Sequence, residues 1–336
     1  MSKTPAEASP PPLPAMAPGD EQGPFVTEAP GWFQRAVAIE PESRTIMVEG
    51  APIHYLRWGD AAKPGLLLVH GNGAHARWWS FIAPFLAREY SVAAIDISGM
   101  GDSGWREKYS LEVFAEEQIA VCEDAGFFKG EEPPIIVGHS FGGFITILTG
   151  ALYGDRLAGT VIVDSPVNPP DRPGGPPNRE FRPHRVYPTL EEALGRFRLA
   201  PPQPCENLYI VDYIARHSLK QVATPEGGSG WTWKFDPAIW QRFNIGDMGA
   251  RLAATRCRIG IMRGEFSVLL PPEIGDYMFT LLGKSAPVIE IPQARHHVML
   301  DQPLAFVSAL RALLADWDHS KPTRRTDLPP RLPFDV

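Results

Sequence analysis

Cysteine is scarce in this chain. The three present, Cys122, Cys205 and Cys257, are scattered and show no C-x-x-C spacing. An odd, dispersed set argues against a disulfide framework and against a zinc site, and it fits a reducing compartment. Long apolar runs are missing too: none reaches the roughly 18 residues that a spanning helix needs, so no membrane span is expected. Nor is there a cluster of Lys and Arg. With a formal net charge of −7, the sequence offers no basic surface, and no nucleic-acid partner is expected. The N-terminus lacks the basic-then-apolar pattern of a secretory signal. These absences together predict a cytoplasmic location.

What is present can build a sizeable core. Apolar residues make up 44% of 336, enough for one large domain or two modest ones. Eight prolines fall within residues 1–30, where large apolar side chains are few. Residues 1–33 are therefore expected to be a disordered, proline-rich tail. Residues 319–336, proline-rich and basic from about Lys321, read as a second tail.

Between the tails the pattern is regular. Alternating segments near Val37–Ile39, Thr45–Val48 and Ile53–Trp58, with Gly50 between, predict an antiparallel opening to a sheet. Leu66–Val69, Val92–Ile95, Ile135–Val137, Thr160–Val163, Ile259–Met262 and Val288–Ile291 are short continuous apolar runs, as expected of strands buried on both faces. Helical periodicity marks Trp79–Arg88, Leu111–Ala125 (capped by Ser110), Gly143–Leu148 and Leu304–Trp317. Strands alternating with helices predict a parallel sheet covered on both sides. Residues 168–250 break this rhythm with a proline-rich opening and with Trp231, Trp233 and Trp240, and read as a lid or cap. The core then comprises residues 34–167 and 251–318.

The chemistry is concentrated at Gly138-His139-Ser140-Phe141-Gly142, between the strand ending at Val137 and the helix opening at Gly143. This is G-x-S-x-G in strand–turn–helix context. The glycines permit a sharp turn and close passage of strand and helix. The helix N-terminus leaves N–H groups and a positive dipole end beside the serine, which suits a developing oxyanion.

Four signals in order carry a resemblance to the α/β-hydrolase fold family, in its serine hydrolase and esterase branch with a lid. They are His70-Gly71-Asn72-Gly73 after the third strand, Asp96–Ser103 after the fourth, Gly138–Gly142 after the fifth, and Ala294-Arg295-His296-His297 after the last. The resemblance implies a mostly parallel eight-stranded sheet flanked by helices, with a helical lid inserted after the sixth strand. It implies Ser140 as nucleophile and His296 as base, with the backbone N–H groups of Asn72 and Phe141 as an oxyanion hole. His70 and the Asp96–Ser103 turn are expected to be architecture. Gly71, His75, Trp78, Trp231 and Trp233 are expected to line the substrate pocket.

The third triad member departs from the family pattern. An Asp is expected three residues beyond Gly264, and Ser267 stands there. Two carboxylates remain open for the role. Glu265 lies on the same loop, and Asp164 ends a core strand, whose rigidity favours it. The expected activity is hydrolysis of a carboxylic ester or lactone, with a small-molecule substrate and neither metal nor organic cofactor. Two alternatives remain. One is a carbon–carbon hydrolase of ring-cleavage diketones, with Arg77, Arg182 or Arg185 on the substrate carboxylate. The other is a non-catalytic receptor on the same fold.

Overall fold

The structure is a computed structural model that describes residues 28–172, 183–224, 227–239 and 245–320. The expected tails at 1–27 and 321–336, and the named Arg182 and Trp240, lie outside these residues.

Eight strands form the central sheet: β1 (Glu42–Val48), β2 (Ala51–Trp58), β3 (Gly65–Val69), β4 (Ser91–Ile95), β5 (Ile135–His139), β6 (Gly159–Val163), β9 (Arg258–Gly264) and β10 (Val288–Ile291). Their spatial order is β1-β2-β4-β3-β5-β6-β9-β10. The β1–β2 and β2–β4 pairings are antiparallel, and all the others are parallel. The strands β3 to β6 are buried along their whole length, because helices cover both faces. One apolar layer, including Leu66, Leu68, Val137 and Val163, packs under α2 (Ala83–Leu86) and α10 (Pro303–His319). The other, including Leu67, Ile136 and Ile162, packs under α3 (Leu111–Asp124) and α4 (Phe141–Tyr153). Ser110 caps α3 as expected, accepting from the Val113 N–H at 3.2 Å. The architecture is the α/β-hydrolase fold.

Three local expectations need correction. The body begins earlier than residue 34, because Gly31–Val37 is a helix, α1, and not a tail followed by a strand. Its Phe33 is buried against Phe81 and meets Tyr209 edge-on at 5.0 Å between ring centroids. This tertiary contact outweighs the short alternating pattern at Val37–Ile39. The segment Trp79–Arg88 is also not one helix. A 3₁₀ turn, Ala76–Trp79, is followed by α2, which carries Pro84 in its first turn, where proline is tolerated. At the other end, α10 runs through His319, one residue into the expected tail.

The insertion follows β6 as expected, but it is not wholly helical. It holds α5 (Leu190–Leu194), α6 (Leu208–His217) and an antiparallel hairpin of β7 (Leu219–Ala223) and β8 (Ser229–Trp233). The helix α7 (Met248–Ala253) straddles the expected boundary at 250. It leads into β9, which α8 (Pro272–Leu281) follows, and α9 (Val298–Asp301) precedes α10.

Candidate active site

Ser140 sits at the junction of β5 and α4 with φ 53° and ψ −118°, a rare conformation for a residue with a side chain. The surroundings enforce it. A Cβ on Gly138 would lie 2.4 Å from the Gly142 carbonyl oxygen, and one on Gly142 would lie 2.5 Å from that of His70. Both glycines are therefore required for strand, turn and helix to pass. The Ser140 N–H donates to Val163 at 2.9 Å, and Ser165 Oγ donates to the Ser140 carbonyl at 2.7 Å, which ties the turn to β6.

His296 faces this serine. Its Nε2 is 2.9 Å from Ser140 Oγ, and its Nδ1 is 2.9 Å from Asp164 Oδ1. Asp164 follows β6 with φ 50° and is fully buried. Its carboxylate is held from two further sides, by the Gly264 N–H at 2.8 Å and Ser267 Oγ at 2.5 Å. The serine at the expected acid position is thus a hydrogen-bond donor to the carboxylate that faces the imidazole. Glu265 lies elsewhere. It is exposed, and its Oε2 accepts from the Gln293 N–H at 2.8 Å.

The arrangement can move a proton from Ser140 Oγ to His296 Nε2, while the carboxylate fixes the tautomer and stabilises the imidazolium. Phe141 opens α4, so its backbone N–H lies in the helix's first turn beside Ser140. Gly71 packs directly on this site. A methyl there would lie 3.2 Å from Ser140 Cβ, which brings the Asn72 turn alongside the serine.

The remaining predicted residues divide. His70 is architectural: its Nδ1 bonds the Gly71 carbonyl at 2.7 Å, and its Nε2 accepts from the Ile97 N–H. Asp96 is likewise a strut, accepting from the backbone of Ala76 at 2.6 Å and of Asp102 at 2.9 Å. His75 is buried and bonded to Ser218 Oγ at 3.0 Å, so it joins the turn after Asn72 to the end of α6. Burial pushes its pKa down to about 3. Trp78 is buried with its ring 5.5 Å from that of His297. Trp233 packs within the insertion, on Tyr187 and Phe197, and Trp231 pairs through its backbone with Tyr187. No described ring contact links either tryptophan to Ser140 or His296.

Four contributors were not anticipated in these roles. Gly264 and Ser267 orient Asp164, and the serine in an acid's place was the available signal. His139 is turned back from β5, where its Nε2–H donates to the His296 carbonyl at 2.9 Å. Gln203, from the insertion, accepts from the His297 N–H at 3.0 Å and donates to Asp301. No local pattern marks that residue, since its partners lie more than ninety positions away.

A second Ser–His–Asp chain exists. Ser43 Oγ is 2.9 Å from His54 Nε2, and His54 Nδ1 is 2.7 Å from Asp96. Burial raises the Asp96 pKa, but the His54 hydrogen bond and the charge interactions with His54, His70 and His75 together more than offset it, leaving the group at about 2. Ser43 lies exposed within the edge strand β1 and not at a strand–helix turn, so its setting lacks the oxyanion-stabilising features of Ser140.

The model of the alpha/beta hydrolase family matches residues 66–310, which include Ser140, Asp164 and His296. The chain belongs to the alpha/beta hydrolase family. Among curated relatives, Lipase LipV of Mycobacterium tuberculosis is 30% identical over 115 residues, 34% of this chain and 42% of that protein. Epoxide hydrolase 4 of Mus musculus is 27% identical over 120 residues, 35% and 32% of the two chains. The matches thus span less than half the length of these curated relatives. Among solved structures, the thioesterase domain from the curacin biosynthetic pathway superposes with a TM-score of 0.64 at 20% identity, covering 81% of this chain and all but 1% of that one, aligned over 99%. An esterase from Mycobacterium tuberculosis gives 0.62 at 23% identity, over 82% and 91%. At such identities these two similarities speak for the fold. Among the described residues, no helix is long and apolar enough to cross a membrane.

Proposed function

We propose that this hydrolase cleaves a carboxylic ester or lactone through an acyl-enzyme on Ser140. The observation that carries the reading is the hydrogen-bonded sequence Ser140–His296–Asp164, two contacts of 2.9 Å at the mouth of a helix. Ser140 attacks the carbonyl as His296 takes its proton. The backbone N–H groups of Phe141 and Asn72 hold the tetrahedral oxyanion, and His296 returns the proton to the leaving oxygen. Water, activated by the same imidazole, then releases the acid. Asp164 is the acid of the triad, and Glu265 is a loop charge. A serine rather than an aspartate at the turn points to acyl transfer and away from the carboxylate attack of epoxide hydrolases.

The insertion acts as a lid. Support comes from its ties to both loops of the site, through Ser218 to His75 and through Gln203 to His297. Its aromatic content favours an apolar or aromatic substrate group.

The test is a panel of p-nitrophenyl esters and lactones, run with a fluorophosphonate probe on wild type and Ser140→Ala. Wild type should turn over an ester and label once at Ser140. The variant should fold, resist labelling and lose several orders of magnitude in kcat. Labelling without any ester or lactone turnover would favour the carbon–carbon hydrolase reading. Failure of wild type to label would remove the nucleophile and favour the receptor.

A further inference from the structure

The site holds more imidazoles than a proton relay needs. His139, His296 and His297 each present a ring nitrogen, all three nitrogens lie within 4.8 Å of one another, and all three side chains are buried. Ring centroids are 4.9 Å apart for His139 and His296, 4.9 Å for His296 and His297, and 5.6 Å for His139 and His297.

His297 is the anomaly. It is 3% exposed, yet neither ring nitrogen makes a hydrogen bond. A buried polar group left unpaired costs about 1–3 kcal/mol, so such a residue calls for an explanation. Burial, and then the neighbouring imidazoles, hold its pKa well below the usual histidine range. The Pro201 carbonyl beside it offsets a little of this without reaching hydrogen-bond geometry. His139 is pushed to about 3 by burial and by His296. A metal takes an imidazole through the lone pair of a ring nitrogen. With its Nε2–H donated to the His296 carbonyl, His139 carries that lone pair on Nδ1. Asp164 is already held by Gly264, Ser267 and His296, so the ligand set is nitrogen alone.

We propose that His139, His296 and His297 bind one borderline transition-metal dication, of the zinc, copper or nickel class, and that this metal switches the hydrolase off. Imidazole sets select such ions over magnesium or calcium. Around a tetrahedral ion with Zn–N near 2.0–2.1 Å, ligand nitrogens sit about 3.4 Å apart, so the rings need to close by no more than about 1.4 Å. His297, unrestrained by any side-chain hydrogen bond, supplies most of that movement. Three protein ligands leave the fourth position for solvent. The inhibitory consequence rests on the hydrolase reading above. Once His296 Nε2 gives its lone pair to the metal, it cannot accept the Ser140 proton. The binding itself does not depend on that reading.

The experiment uses chelator-treated full-length protein, wild type and Ser140→Ala, titrated with Co²⁺ by visible absorption and with Zn²⁺ by calorimetry. Both proteins should bind one Co²⁺ with the intense absorption of a tetrahedral site, displaced by Zn²⁺. His297→Gln and His139→Gln should each weaken binding by at least about 10-fold. Zn²⁺ should inhibit ester turnover, and the same substitutions should shift the inhibition by the same factor. Should either variant unfold, ring-nitrogen NMR of the wild type still decides, since Zn²⁺ must move the signals of three histidines. Octahedral Co²⁺ absorption, unmoved ring signals, or variants that bind like wild type would overturn the proposal. Metal binding in a protein that turns over no ester would leave the site standing and remove the hydrolase reading.

Discussion

Replacing Asp164 by Asn should disable the enzyme while leaving its shape intact. The carboxylate has three partners: His296 Nδ1 at 2.9 Å, the Gly264 N–H at 2.8 Å and Ser267 Oγ at 2.5 Å. The Gly264 N–H holds Oδ2, while Ser267 and His296 share Oδ1; an amide has one oxygen, and the fixed backbone N–H of Gly264 claims it, since the Ser267 hydroxyl can turn to accept instead. Its NH₂ group must then face His296, where a donor opposes a donor. The imidazole relieves this by moving its proton to Nε2, and in that tautomer it can no longer accept from Ser140 Oγ. The same substitution in a serine protease costs about 10⁴ in kcat, equivalent to about 5 kcal/mol of transition-state stabilisation. A loss of that order is expected here. Glu265→Gln should stay within a few-fold of wild type, because the exposed side chain only accepts one hydrogen bond from Gln293, and glutamine can accept it too. The assay is kcat/KM for both variants on one ester at one pH. A further arm adds Ser267→Asp to Asp164→Asn. A carboxylate grown from Ser267, whose Oγ already touches the acid, should recover about 10-fold or more of the loss. If Asp164→Asn stays within a few-fold while Glu265→Gln collapses, the triad acid is Glu265 and the reasoning is refuted.

Other consequences are as direct. Phe33→Ala removes a ring buried against Phe81, Tyr209 and Tyr213, and should cost about 3–5 kcal/mol in urea unfolding with an unchanged slope; a near-neutral result would mean that α1 is not part of the core. The buried His75, whose pKa falls to about 3 from the usual 6.5 of a histidine, destabilises the fold in acid. The unfolded chain takes the proton first, so its contribution is complete above about pH 6.5 and falls by about 1.4 kcal/mol per unit below it, down towards the folded value. His75→Gln should therefore flatten the pH dependence of unfolding between about pH 6.5 and 5 by one histidine's share, and an unchanged slope would show that His75 takes up its proton while folded.

The sequence by itself determined whatever depends on neighbours along the chain. The apolar runs at Leu66–Val69, Val92–Ile95 and Thr160–Val163 could only be strands buried on both faces, and the alternation with helices set the parallel sheet. Gly138–Gly142 was legible for the same reason, since that turn is built from five consecutive residues whose glycines answer a local clash. The tertiary structure decided what depends on distant partners. Asp164 and His296 are 132 positions apart, and no spacing rule could separate Asp164 from Glu265. The register of β6 beside β9 makes the difference: it places Asp164 where the Gly264 N–H and Ser267 Oγ converge on its carboxylate, and it leaves Glu265 pointing to solvent. The same limit hid α1, whose Phe33 finds its partners on α6 near residue 210, and Gln203, which bonds the histidine loop from the insertion. Propensity is summed over a few residues, but burial and hydrogen bonding are settled by whichever segments folding brings together.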